Sequence, residues 1–72
     1  MDIDEIVFIV EEDKEVGGYS AVCQRYGIFT QGEDLDDLRA MVKDAVDCRF
    51  DGEPIPAQRI RLHIVRDEVI AA

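Results

Sequence analysis

GIFTQGEDLDDLRAMVKDAV, residues 27–46, changes periodicity halfway along. Its first part, Ile28 to Gln31, reads as a short strand that Gly27 turns into and Gly32 ends. From Leu35 onward the apolar residues Leu35, Leu38, Val42, Ala45, Val46 and Phe50 recur at steps of three and four, the spacing of one helix face. Asp34 precedes that stripe and has the side chain of a helix N-cap, able to accept from the orphan backbone N–H three residues on, at Asp37. Asp36 and Asp37 fall in the first turn, where the helix dipole favours negative charge. The helix is expected to run to about Phe50. Asp51, Gly52, Pro54 and Pro56 then end it and form a linker.

Upstream, IVFIV at 6–10 is continuously apolar and β-branched, the composition of a central strand covered on both faces. EEDKEVGG at 11–18 closes on two glycines that supply positive φ, so it reads as a hairpin connection. YSAVCQRY at 19–26 runs back. Tyr19, Ala21 and Cys23 point to one side of it, and Ser20, Val22 and Gln24 to the other. Downstream, RIRLHIVRDEVI at 59–70 alternates as a last strand, with Ile60, Leu62 and Ile64 inward and Arg61, His63 and Val65 outward.

The element order is therefore β-β-β-α-β, an α+β chain in which a meander is followed by a helical crossover. The helix returns the chain to its starting end, so the fourth strand should lie parallel to the first, by a right-handed crossover. This gives a four-stranded mixed sheet of order 3-2-1-4 with one helix packed on one face. One helix leaves the other face open, with Val7, Ile9, Val22 and Val65 on it. A second copy of the chain is expected to cover that patch, giving a homodimer or higher homo-oligomer, with Arg61 and His63 flanking the patch and pairing with acids across the interface.

Composition narrows the function. The 72 residues make one domain, since a chain of this size buries only about 60% of its unfolded surface. The N-terminal MDIDEIVF has acids where a signal peptide needs bases, and no run is long enough to span a bilayer, so a soluble cytoplasmic protein with no membrane association is expected. Net charge is -9, with -10 over residues 1–53 and +1 over residues 54–72, which disfavours direct nucleic-acid binding. The acidic part suits either a solvated surface or a docking surface for a basic partner. Cys23 and Cys48 lack metal-site spacing and read as free thiols. Two-metal nuclease chemistry would need a carboxylate in the body of the central strand. IVFIV has none, because Asp2, Asp4 and Glu5 precede it and Glu11, Glu12 and Asp13 follow it. His63, the only histidine, has no nucleophile beside it in sequence and reads as a surface or interface residue. No P-loop or other cofactor motif is present. Catalysis, cofactors and metals are not expected.

Two blocks, FIVEEDKEVGGYSA at 8–21 and GIFTQGEDLDDLRAMVKDAV at 27–46, resemble the HicB-like antitoxin domain. That family pairs a glycine-closed hairpin with a Gly, two variable residues and Thr-Gln-Gly-acid opening an amphipathic helix. The resemblance implies a partial ribonuclease H-like fold and a partner, a small basic HicA-type toxin that cleaves messenger RNA. It departs where Arg25, Tyr26, Gly27 and Ile28 replace a Leu-Pro-Gly-Cys turn and where Asp34 replaces a threonine cap. The chain also stops at Ala72 without the C-terminal DNA-binding domain of many members, as in a solitary form. Within this picture Glu33, Asp34, Asp36 and Asp37 are the candidate partner-binding residues, and they are equally the residues that start a helix.

Overall fold

The computed structural model describes residues 5–57, 59–66 and 68–72. Asp2 and Asp4 lie outside the described residues. Four strands and one helix follow one another as β1 (Glu5–Glu12), β2 (Tyr19–Cys23), β3 (Ile28–Gly32), α1 (Leu35–Arg49) and β4 (Arg59–Val65). The sheet order is β3-β2-β1-β4, with β1 antiparallel to β2 and parallel to β4. The α+β arrangement expected from the sequence is the one observed.

Alternation along the strands divides the sheet into two unlike faces. Ile6, Phe8 and Val10 of β1, Ala21 and Cys23 of β2, and Ile28 and Thr30 of β3 are buried under Leu38, Val42 and Val46 of α1. Each large side chain in this layer stabilises the fold by about 1.5–3 kcal/mol, and it is the only buried cluster among the described residues. The helix end is anchored beside the β2–β3 turn. There Phe50 meets Tyr26 edge to face at 5.2 Å, and Arg49 Nε donates to the Tyr26 carbonyl at 3.2 Å.

Two glycines have specific steric duties. Gly18 closes the β1–β2 hairpin with φ +87°, a conformation L side chains rarely adopt. Gly32 is the last residue of β3, which ends there as expected, with Gly32 paired to Tyr19. It marks where α1 crosses closest to the sheet. A Cβ there would stand 2.5 Å from the Leu38 backbone nitrogen.

Val7 and Ile9 are exposed on the face that one helix leaves open, as expected. Two expectations are corrected. Ile64 faces the helix side yet remains 46% exposed, because α1 lies closest to β3 and β2 and leaves the β4 side uncovered. The last strand ends at Val65 instead of Ile70, since Glu11↔Val65 is the last register pair that β1 supplies. Beyond it, Val69 is 92% exposed, and Asp67 lies outside the described residues.

Replacing Gly32 with Ala should lower unfolding free energy in urea by about 1–3 kcal/mol, the cost of forcing atoms into a tightly packed contact. An unchanged denaturation midpoint would show that the helix start has room to retreat.

Candidate functional site

The four acids at the start of α1 are held by the backbone geometry of a strand running directly into a helix. Asp34 is the N-cap, with extended φ and ψ, and its Oδ1 accepts from the Asp37 N–H at 2.7 Å. Asp37 reaches back in return, its Oδ2 accepting from the Glu33 N–H at 2.8 Å. The pair is a reciprocal cap that satisfies two donors which would otherwise lack partners. Asp36 points outward and makes a surface ion pair with Arg39 at 2.6 Å. Glu33, fully at the surface, uses only its backbone.

The sheet brings a second acidic segment to the same place. Glu12 lies opposite Tyr19 and Tyr19 opposite Gly32, so the β1–β2 hairpin and the start of α1 share one end of the molecule. Glu11, Glu12, Asp13 and Glu15 thereby join Glu33, Asp34, Asp36 and Asp37, with Lys14 the only base within 11–18 and 33–37. A groove of about 700 Å³ runs between the two segments, lined by Asp13, Gly18, Tyr19, Gly32, Glu33 and Asp37. Asp13 also shapes the hairpin, its Oδ1 accepting from the Glu15 N–H at 3.0 Å. The hairpin half of this acidic end was not singled out from the sequence as part of the site, although the strand order places it there.

The open sheet face gathers the other candidates. Register sets Phe29, Val22, Ile9 and His63 in one row across all four strands, with Val7 and Val65 on neighbouring rows of the same face. Phe29, 60% exposed, is its largest apolar group. It was missed in the sequence, yet the Ile28/Thr30 alternation puts it outside. Arg61 has a partner within its own chain. Its Nε and Nη2 donate to Glu5 Oε1 and Oε2, both at 2.8 Å, and Arg59 approaches the same carboxylate at 3.8 Å. The forked hydrogen bonds from Arg61, aided by its charge and that of Arg59 and opposed by desolvation, hold the Glu5 carboxyl below its ordinary range. His63 is exposed beside Ile9.

Among the described residues, no three of His, Cys, Asp and Glu gather so as to hold a metal ion. Cys23 is buried and Cys48 exposed, both as free thiols. No helix among the described residues is long and apolar enough to cross a membrane.

Comparison with known proteins finds relatives along most of the chain. A protein of Thermotoga maritima named UPF0150 protein is 46% identical over 68 residues, covering 93% of this chain and 91% of that protein. A UPF0150 protein of Archaeoglobus fulgidus is 47% identical over 49 residues, 68% of this chain and 71% of its own length. No family model and no solved structure matches the chain.

Two outcomes follow from this geometry. Asp34→Ala should cost about 0.5–2 kcal/mol of stability, and Asp34→Ser should restore most of it; equal stability of all three proteins in urea would deny the cap its role. Glu5 binds a proton less readily folded than unfolded. The stability it supplies is therefore complete above its unfolded value, about 4.3, and is lost as pH falls through its lower folded value. Thermal melts between neutral and strongly acidic pH should show a shallower acid limb for Glu5→Gln than for the unaltered chain.

Proposed function

We propose that this chain, which belongs to the UPF0150 family, is a non-catalytic acidic binding domain that neutralises a small basic protein. The observation that carries the reading is the convergence of the hairpin acids and the helix-start acids on one end of the fold. A cationic surface set against the acids that neither cap nor pair at this end relieves the repulsion among them while steering encounter. The resemblance to the HicB-like antitoxin domain supplies the class of partner. It is a HicA-like toxin that cleaves messenger RNA, whose basic RNA-binding face the acidic end would cover. On this reading the chain contacts no nucleic acid itself, works in the cytoplasm, and needs neither metal nor cofactor.

A second reading is favoured by the open face. The open-face row of exposed Phe29 and Ile9 with half-buried Val22 between them is more apolar than a solitary small domain needs. This supports a self-associating domain without a toxin.

Capture with the tagged chain from its own cells should retrieve a small basic protein that salt releases. Glu33→Gln combined with Glu12→Gln touches both acidic segments and removes no cap. The double variant should melt like the parent, bind that protein more weakly, and show a flatter dependence of affinity on salt. Retrieval of no basic protein would leave the self-associating reading in its place.

A further inference from the structure

The sheet has two edges, and they are built differently. β3 is five residues long and runs into the tight Gly32 crossing. β4 has seven residues, RIRLHIV, with neither proline nor glycine, and pairs with β1 on one side only. Among the described residues no backbone hydrogen bond from outside the sheet reaches it. Edge strands are ordinarily blunted by inward-pointing charge, bulges or proline, yet the helix-side positions of β4 are Ile60, Leu62 and Ile64. Its two arginines do not guard the edge either, because Arg59 and Arg61 are both drawn toward β1 by Glu5. Beside the strand lies an uncovered groove of about 630 Å³, with Ile60, Leu62 and Ile64 on its floor and Val42, Val46 and Ile55 on its walls.

We infer that two copies of the chain join edge to edge, β4 antiparallel to β4 of the partner, about a twofold axis at Leu62. An antiparallel pair related by a twofold keeps each face of the sheet on the same side, so even-numbered residues must oppose even-numbered ones. Centring on Leu62 places Ile60 opposite Ile64, Leu62 opposite itself and Arg61 opposite His63, and it pairs all seven residues. Centring on Arg61 would stack two guanidinium groups on the axis, and centring on His63 would set Arg66 against Ile60. Only the Leu62 register makes every helix-side contact apolar.

That register also completes the groove. α1 starts beside Gly32, at the end where β4 finishes, and stops beside Tyr26, at the end where β4 begins. Along the groove Lys43 thus lies toward Ile64 and Asp47 toward Ile60. The twofold sets the Ile64 end of one copy against the Ile60 end of the other, so the part of the groove that holds Lys43 in one copy faces the part that holds Asp47 in the other. Two half-grooves become one apolar trough floored by an eight-stranded sheet and walled by two helices. The open face and the acidic end stay free in both copies, so the proposal rests on self-association and does not depend on a basic partner.

Sedimentation velocity over a wide concentration range tests this with three variants, each first checked for an unchanged fold by circular dichroism and urea melts. Ile64→Lys puts a cation opposite Ile60 and should weaken the dimer by about tenfold or more. Val7→Asp, on the open face away from the edge, should leave it unchanged. His63→Glu sets a carboxylate opposite Arg61 of the second copy, which Glu5 already engages, and should not loosen association, whereas in a face-to-face dimer the same charge would enter an apolar patch and loosen it. A dimer that Val7→Asp and His63→Glu disrupt, and Ile64→Lys does not, would overturn the edge arrangement while keeping self-association. A wild-type chain that stays monomeric at the highest concentration would overturn both.

Discussion

The molecule depends on one contact, between a single apolar stripe on α1 and one face of a four-stranded sheet. A chain of 72 residues affords one such layer. Phe8 and Val10 of the central strand lie beneath Leu38, Val42 and Val46, and all five are almost wholly removed from water. What this contact does not reach is left unfinished: the far face of the sheet, and the strip of near face over β4. The two unfinished surfaces are thus the geometric remainder of a core with one helix, and each is apolar because strand residues must still carry β-forming side chains.

The acidic end illustrates how one set of residues meets a folding need and leaves a surplus. Asp34 and Asp37 are consumed in the reciprocal cap, where backbone N–H groups and the positive helix terminus offset their charge. Asp36 is offset by Arg39. The hairpin acids Glu11, Glu12 and Glu15, with Glu33, have no comparable backbone duty for their carboxylates among the described residues. Structure therefore separates acids that build from acids that face outward, a distinction that a count of charges cannot make.

Much of this was legible in the sequence because it is governed by local rules. The helix stripe from Leu35 to Phe50, the cap at Asp34, the two hairpin glycines and the β-β-β-α-β order each follow from periodicity or turn chemistry within a few residues, and the sheet order follows from the order of elements. The features that escaped are set by what lies across space. The end of β4 at Val65 depends on where β1 stops pairing. The exposure of Ile64 depends on the lateral position of α1, which no stripe of residues encodes. The Glu5–Arg61 fork joins positions 56 residues apart, and the hairpin's share of the acidic end required the third dimension to bring Asp13 toward Glu33. Gly32 ends β3 as its sequence context indicated, but its second duty, letting a helix backbone come close, is set across space.

The pairing of β1 with β4 has a consequence for how the chain assembles in time. β1 and β2 meet through contacts as near as Glu12 and Tyr19, while β1 meets β4 through Ile6 and Ile60, 54 positions apart. Closing that loop from an unfolded chain costs about 2 kcal/mol more than closing the hairpin, at roughly 0.6 kcal/mol for each doubling of length. The difference vanishes once the meander and helix are in place, because the chain then has only the short span from Phe50 to Arg59 left to fix. The kinetic order is therefore built into the topology: local contacts first, the long-range parallel pair last. During synthesis the meander and helix can close over Phe8 while the β1 edge stands bare, and that edge waits for the last strand to be made.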